Sequence, residues 1–95
     1  MWSEMESGEH ANMRSTRCMG FEVRVNDYAR TGFGSGEIQV CAHPRAFNGS
    51  LSCNGYGKTP AEAFADGIKS AREWGWERVA QVLEEAAKSW EASNG

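Results

Sequence analysis

Hydrophobic and polar residues alternate along three stretches of this chain and recur at three- and four-residue steps along a fourth. From Met19 to Tyr28, Phe21, Val23 and Val25 fall on one side of an extended chain and Glu22, Arg24 and Asn26 on the other, which is the pattern of a half-buried strand. Ile38, Val40 and Ala42 alternate with Glu37, Gln39, Cys41 and His43 in the same way, and Pro44 ends that strand because it offers no ladder donor. A third strand is expected over Ser50 to Tyr56, with Leu51 and Cys53 facing the core and Ser52, Asn54 and Tyr56 facing out. Thr31 to Gly36, too glycine-rich for a strand interior, and Arg45 to Gly49 read as the connecting loop and turn. Gly55 and Gly57 read as releasing the chain from the third strand.

The fourth stretch, from Thr59 to about Ser93, predicts a long helix. Thr59 suits the cap, Pro60 the first turn and Glu62 the return contact to the cap. Phe64, Ile68, Ala71, Gly75, Val79, Val82, Ala86 and Trp90 then recur on one side. Three strands joined by short connections and one amphipathic helix predict an α+β fold, a three-stranded antiparallel meander packed on a C-terminal helix in the order βββα. The apolar in-facing set is Phe21, Val23, Val25, Ile38, Val40, Leu51, Phe64 and Ile68.

Length raises a question about that helix. From Pro60 to Ser93 it spans about 50 Å, against about 27 Å for a strand of eight residues. The chain therefore either bends near Gly75 and folds back, breaking the helix, or a helix carries on past the sheet edge. No Ser, Thr, Asp or Asn lies between Ala71 and Glu77 to cap a new helix, which favours a continuous or merely kinked helix. Such a helix leaves Trp76, Val79, Leu83 and Trp90 as an apolar overhang, the expected contact for a protein target or a second copy of the chain. Arg24 and Tyr56 on the outward sheet face join them as candidate partner-binding residues.

Residues 1–18 show neither period and read as a flexible arm, with a turn around Trp2 and Met5 as the part able to dock; 19–95 read as a single α+β domain. At 95 residues the chain has room for one small core. A net charge of −3, with acidic and basic residues interleaved, shows no polybasic tract for nucleic acid or an anionic membrane. No apolar run approaches the roughly 18 residues that span a bilayer. Glu4, Glu6 and Glu9 stand where a signal peptide is basic and then apolar, so a cytoplasmic protein is expected. Three cysteines, Cys18, Cys41 and Cys53, are an odd number without a secretion signal and read as reduced thiols, and Asn48-Gly49-Ser50 as a turn.

Chemistry-bearing patterns are sparse. Gly55-Tyr-Gly-Lys-Thr59 resembles part of a phosphate loop, but Ser52 stands where the motif's first glycine belongs, so a tight turn and a helix cap account for it. Gly32 to Gly36 precedes a strand where a dinucleotide loop precedes a helix. Alternation puts Cys41 and His43 on one face and Cys53 on the other, which separates them as metal ligands. Cys41 and His43, two apart on a strand, are distant for a nucleophile and base, with no orienting carboxylate in sequence nearer than Glu37. No catalytic residue, cofactor or metal is expected from the sequence.

The segment from Gly57 through Thr59-Pro-Ala-Glu-Ala to Ile68, following strands, resembles the third-strand-to-helix junction of double-stranded RNA-binding domains and of HicB-type antitoxins. The first resemblance implies an RNA partner and the second a role as an antitoxin-like regulator. In size and style alone the chain also resembles phage-encoded inhibitors of host defence, anti-CRISPR proteins among them. That likeness implies a non-catalytic protein that occludes a surface on a larger target. A small protein-binding inhibitor or regulator is therefore the expected function, with a nucleic-acid-binding or antitoxin-like domain as the alternative.

Overall fold

A computed structural model describes residues 2–5, 13–27, 37–44 and 53–94. Among these residues five antiparallel strands lie side by side in chain order: β1 (Ser3–Met5), β2 (Met13–Cys18), β3 (Phe21–Asp27), β4 (Ile38–Pro44) and β5 (Cys53–Gly57). Two helices follow, α1 (Pro60–Glu73) and α2 (Glu77–Asn94), packed over one face of the sheet. The expected α+β class and antiparallel meander are present, with two strands and one helix more than expected. Leu51, the glycine-rich loop at 31–36 and the turn at 45–49 lie outside the described residues.

Register follows the alternation. Val23 lies opposite Ala42, and Val25 opposite Val40, which in turn faces Gly55. Phe21, Val23, Val25, Ile38, Val40 and Phe64 are buried, whereas Ile68 is half-buried because it sits at the outer margin between the helices.

The first correction concerns residues 1–18, expected to form a flexible arm. Ser3–Met5 and Met13–Cys18 are strands, and β2 pairs with β3 along its whole length, from Met13 opposite Asn26 to Cys18 opposite Phe21. The strand was hidden because the positions that share the core face of β3 are Arg14, Thr16 and Cys18, so no apolar alternation marks it. Its hairpin turn was hidden as well. Met19 and Gly20 both have positive φ, 52° and 83°, as a two-residue hairpin of the primed type requires, yet methionine occupies the place that asparagine usually takes.

Gly55 and Gly57 are a second correction, because they form the core face of β5 where the sequence suggested a release from it. A β-carbon on Gly55 would fall against the Ala63 carbonyl and 2.7 Å from Gly67 Cα; one on Gly57 would lie 2.6 Å from Glu62 Cβ. Ala63, Gly67 and Ala71 recur every four residues on the buried side of α1, so two surfaces of minimal side chains let helix and strand approach closely. The Cys53 thiol donates to the Gly67 carbonyl at 3.4 Å within the same contact.

The helix starts as the sequence indicates and stops where it does not. The Thr59 hydroxyl accepts from the Glu62 amide at 3.2 Å, with Pro60 in the first turn. Gly75 then adopts φ 79°; its amide donates to the Arg72 carbonyl at 3.1 Å and the Trp76 amide donates to Ala71 at 2.8 Å. These are the two bonds of a Schellman ending. The Trp76 carbonyl accepts from Ala80 at 3.0 Å, so α2 begins without a side-chain cap. A continuous helix is thus ruled out, and the longest dimension of the molecule is 32 Å, well short of that rod. The glycine itself is the stop signal, a stronger one than the missing cap.

Candidate partner-binding surfaces

Folding back at Gly75 changes what the carboxyl half of the helical stretch can touch. Val79 is 4% exposed and Leu83 is 0% exposed; with Val82 and Ala86 they belong to the same buried core as the inward residues of α1 and the sheet. Both were expected to face a partner. Their stripe is core because the turn returns it to the sheet, so among the described residues these form no apolar overhang.

Trp90 is half-buried inside the molecule too. Its ring meets Trp2 edge-on at 5.0 Å, the Arg14 guanidinium lies 5.6 Å from its centroid, and Trp2 also meets Phe64 edge-on at 6.2 Å. Trp2 is therefore a wedge that closes the core beside β1, the docking that the Trp2 and Met5 pattern allowed. Arg24 and Tyr56 lie on the outward face of the sheet, remote from the helices' packing side.

That outward face is a hydrogen-bonded surface. Glu22 accepts from Arg24 at 3.0 Å and pairs with His43 at 3.3 Å; Asn26 donates to Gln39 at 2.8 Å, and Gln39 donates to the Tyr56 hydroxyl at 3.2 Å. The Tyr56 backbone amide donates to Asp66 of α1 at 3.0 Å, tying down the edge strand. Glu22 is the carboxylate that sequence spacing missed for His43, because register, not chain distance, brings them together. Cys41 lies across from Arg24 on the same face. Burial raises its thiol pKa, Arg24 opposes the shift and Glu22 reinforces it. The net direction is opposite to what a cysteine nucleophile needs. Among the described residues no three His, Cys, Asp or Glu side chains come together as metal ligands.

Two features remain on the helical side. At the corner, Trp74 caps the end of α1, is 72% exposed and stacks on half-buried Trp76 at 5.9 Å with 29° between the rings. Beyond it, a groove of about 330 Å³ runs between the helices, with Phe64 and Trp90 among its lining residues and Ala61 and Ala65 exposed along it. Of the expected partner-binding residues on this side, Trp76 borders the exposed corner and Trp90 lines the groove. Trp74 lies beside the helical stripe in the sequence, where core packing or interface anchoring were both open to it, and here it is exposed next to the helix-ending glycine.

Comparison with family models, with curated proteins and with solved structures gives no match for the chain. No helix among the described residues is long and apolar enough to cross a membrane.

Proposed function

We propose that this chain is a small non-catalytic protein-binding regulator that acts by occupying a surface on a larger protein, with the Trp74–Trp76 corner as its anchor. The observation that carries this reading is the exposure of Trp74, 72% in water and stacked on Trp76. The turn does not need that side chain, since backbone bonds and Gly75 make it. Tryptophan presented rigidly is the residue type that most often dominates an interface, because it buries a large area with little loss of side-chain freedom. Inhibition of a host defence, as size and style imply, is one form of this activity.

The reading is tested by affinity capture with mass spectrometry, comparing the natural chain with Trp74→Ala. Proteins retained by the natural chain are expected to be lost from the variant while its circular dichroism is unchanged. An identical set of captured proteins contradicts the assignment of this corner.

A further inference from the structure

Trp2 occupies a socket that borders the groove between α1 and α2. Its ring meets Phe64 edge-on at 6.2 Å and Trp90 edge-on at 5.0 Å, and those same two residues line the groove. The two spaces therefore share aromatic walls. At about 330 Å³ the groove alone is at the lower end of the size of small-molecule sites, and the indole beside it holds further space of the same character. We propose that Trp2 is a removable plug. In this arrangement β1 is a strap that lifts from the sheet, and the vacated socket joins the groove as one slot for the flat aromatic ring of a ligand.

β1 is poised to leave. It spans three residues, forms the edge of the described sheet and pairs only Ser3 to Met5 against Ser15 to Met13 of β2. Short edge elements of this kind open locally while the rest of a domain stays folded. Docking also leaves the Trp2 indole N–H buried without a hydrogen-bond partner, and lifting the strap returns that donor to water. What remains does not depend on β1. Strand β2 pairs with β3 along its whole length, and the Arg14 guanidinium of β2 stands 5.6 Å from the Trp90 centroid, so the sheet and one wall of the slot persist. Phe64, the other wall, is 2% exposed and belongs to the core. The plug itself indicates the occupant: walls that receive one indole edge-on receive another flat aromatic ring in the same way, with Ala65 and Ile68 extending the apolar surface beside them.

Amide hydrogen exchange on the natural chain, with free indole as the probe, tests the strap and the slot together. Without indole, the amides bonded between β1 and β2 are expected to exchange well before those between β3 and β4, through an opening that leaves the rest folded. Saturating indole is expected to speed exchange of the β1–β2 amides about tenfold or more and to leave β3 and β4 unchanged, because the ring enters as Trp2 leaves. With the open form at about 3%, Trp2→Ala, which is permanently unplugged, is expected to bind indole about thirtyfold more tightly than the natural chain. Trp2→Phe keeps a ring in the socket and is expected to stay within about threefold of the natural chain, so the test stands even where the alanine variant folds poorly. Exchange of the β1–β2 amides only on global unfolding overturns the proposal. So does indole that leaves those amides unchanged in the natural chain, or that binds the three chains equally. The outcome is independent of the Trp74 reading, which is measured on captured proteins.

Discussion

The two helices cover the same sheet by opposite means. Over β5, α1 presents Ala63 and Gly67 to Gly55 and Ala63 to Gly57, and contact is made by backbone against backbone. Over β2, α2 meets a strand whose core-facing positions are Arg14, Thr16 and Cys18, and the space is filled by long or polar side chains. Cys18 donates from its thiol to the Val82 carbonyl at 3.7 Å, and Arg14 lies over the Trp90 ring. The difference teaches that one side is held by the absence of side chains and fails on any addition. The other is held by a wedge of large groups and fails on removal.

The largest expected effect comes from adding bulk on the glycine side. Gly55→Val sets its β-carbon against the Ala63 and Gly67 backbone, which has no rotamer by which to yield, and is expected to cost about 3 kcal/mol or more in urea unfolding. A cost under 1 kcal/mol would mean that α1 stands farther from β5 than described. On the other side, removing bulk is what matters. Trp2→Ala loses the edge contacts to Trp90 and Phe64 and is expected to cost about 2 kcal/mol. Trp2→Phe sharpens the point: the Trp2 indole N–H is buried without a hydrogen-bond partner, so the ring without it is expected to lose little, as read by the same unfolding curves.

A smaller effect has the opposite sign. Met19 holds φ 52° in the β2–β3 turn, so Met19→Asn is expected to raise stability by about 1 kcal/mol and the melting temperature by several degrees. A loss of stability would show that the turn does not adopt this geometry. The smallest effect is a pH dependence. Burial raises the thiol pKa of Cys18, Cys41 and Cys53 in the folded chain. The unfolded chain therefore releases these protons first: their contribution is fully present below the ordinary thiol pKa of about 8.5 and declines as pH rises through the folded values. The natural chain is expected to lose more stability between neutral and alkaline pH than a variant with all three cysteines changed to alanine. Parallel stability curves would contradict the burial.

The legible parts of this fold were those where side chains alternate by hydrophobicity. Phe21 to Val25 and Ile38 to Ala42 announced β3 and β4 with the correct face inward, and Thr59-Pro60 announced the start of α1. The illegible parts were those where backbone geometry does the work. Gly75 continued the apolar phase of the stripe and so concealed a helix ending, while Gly55 and Gly57 looked like loop residues because a strand face paved with hydrogen atoms has no hydrophobic signature. Partner-binding residues were misplaced for the same reason. Val79 and Leu83 are on the correct stripe, but the stripe turns back onto the sheet.

The fold-back at Gly75 decides which surfaces the protein can offer, and a nuclear Overhauser spectrum tests it most directly. Leu83 Cδ1 would lie 3.2 Å from a β-carbon built on Gly67, so Leu83 methyl protons are expected to show cross-peaks to the Gly67 α-protons, undiminished on dilution. Absence of those cross-peaks, with Leu83 methyls instead at solvent-exposed shifts, would contradict the account and restore a projecting helix.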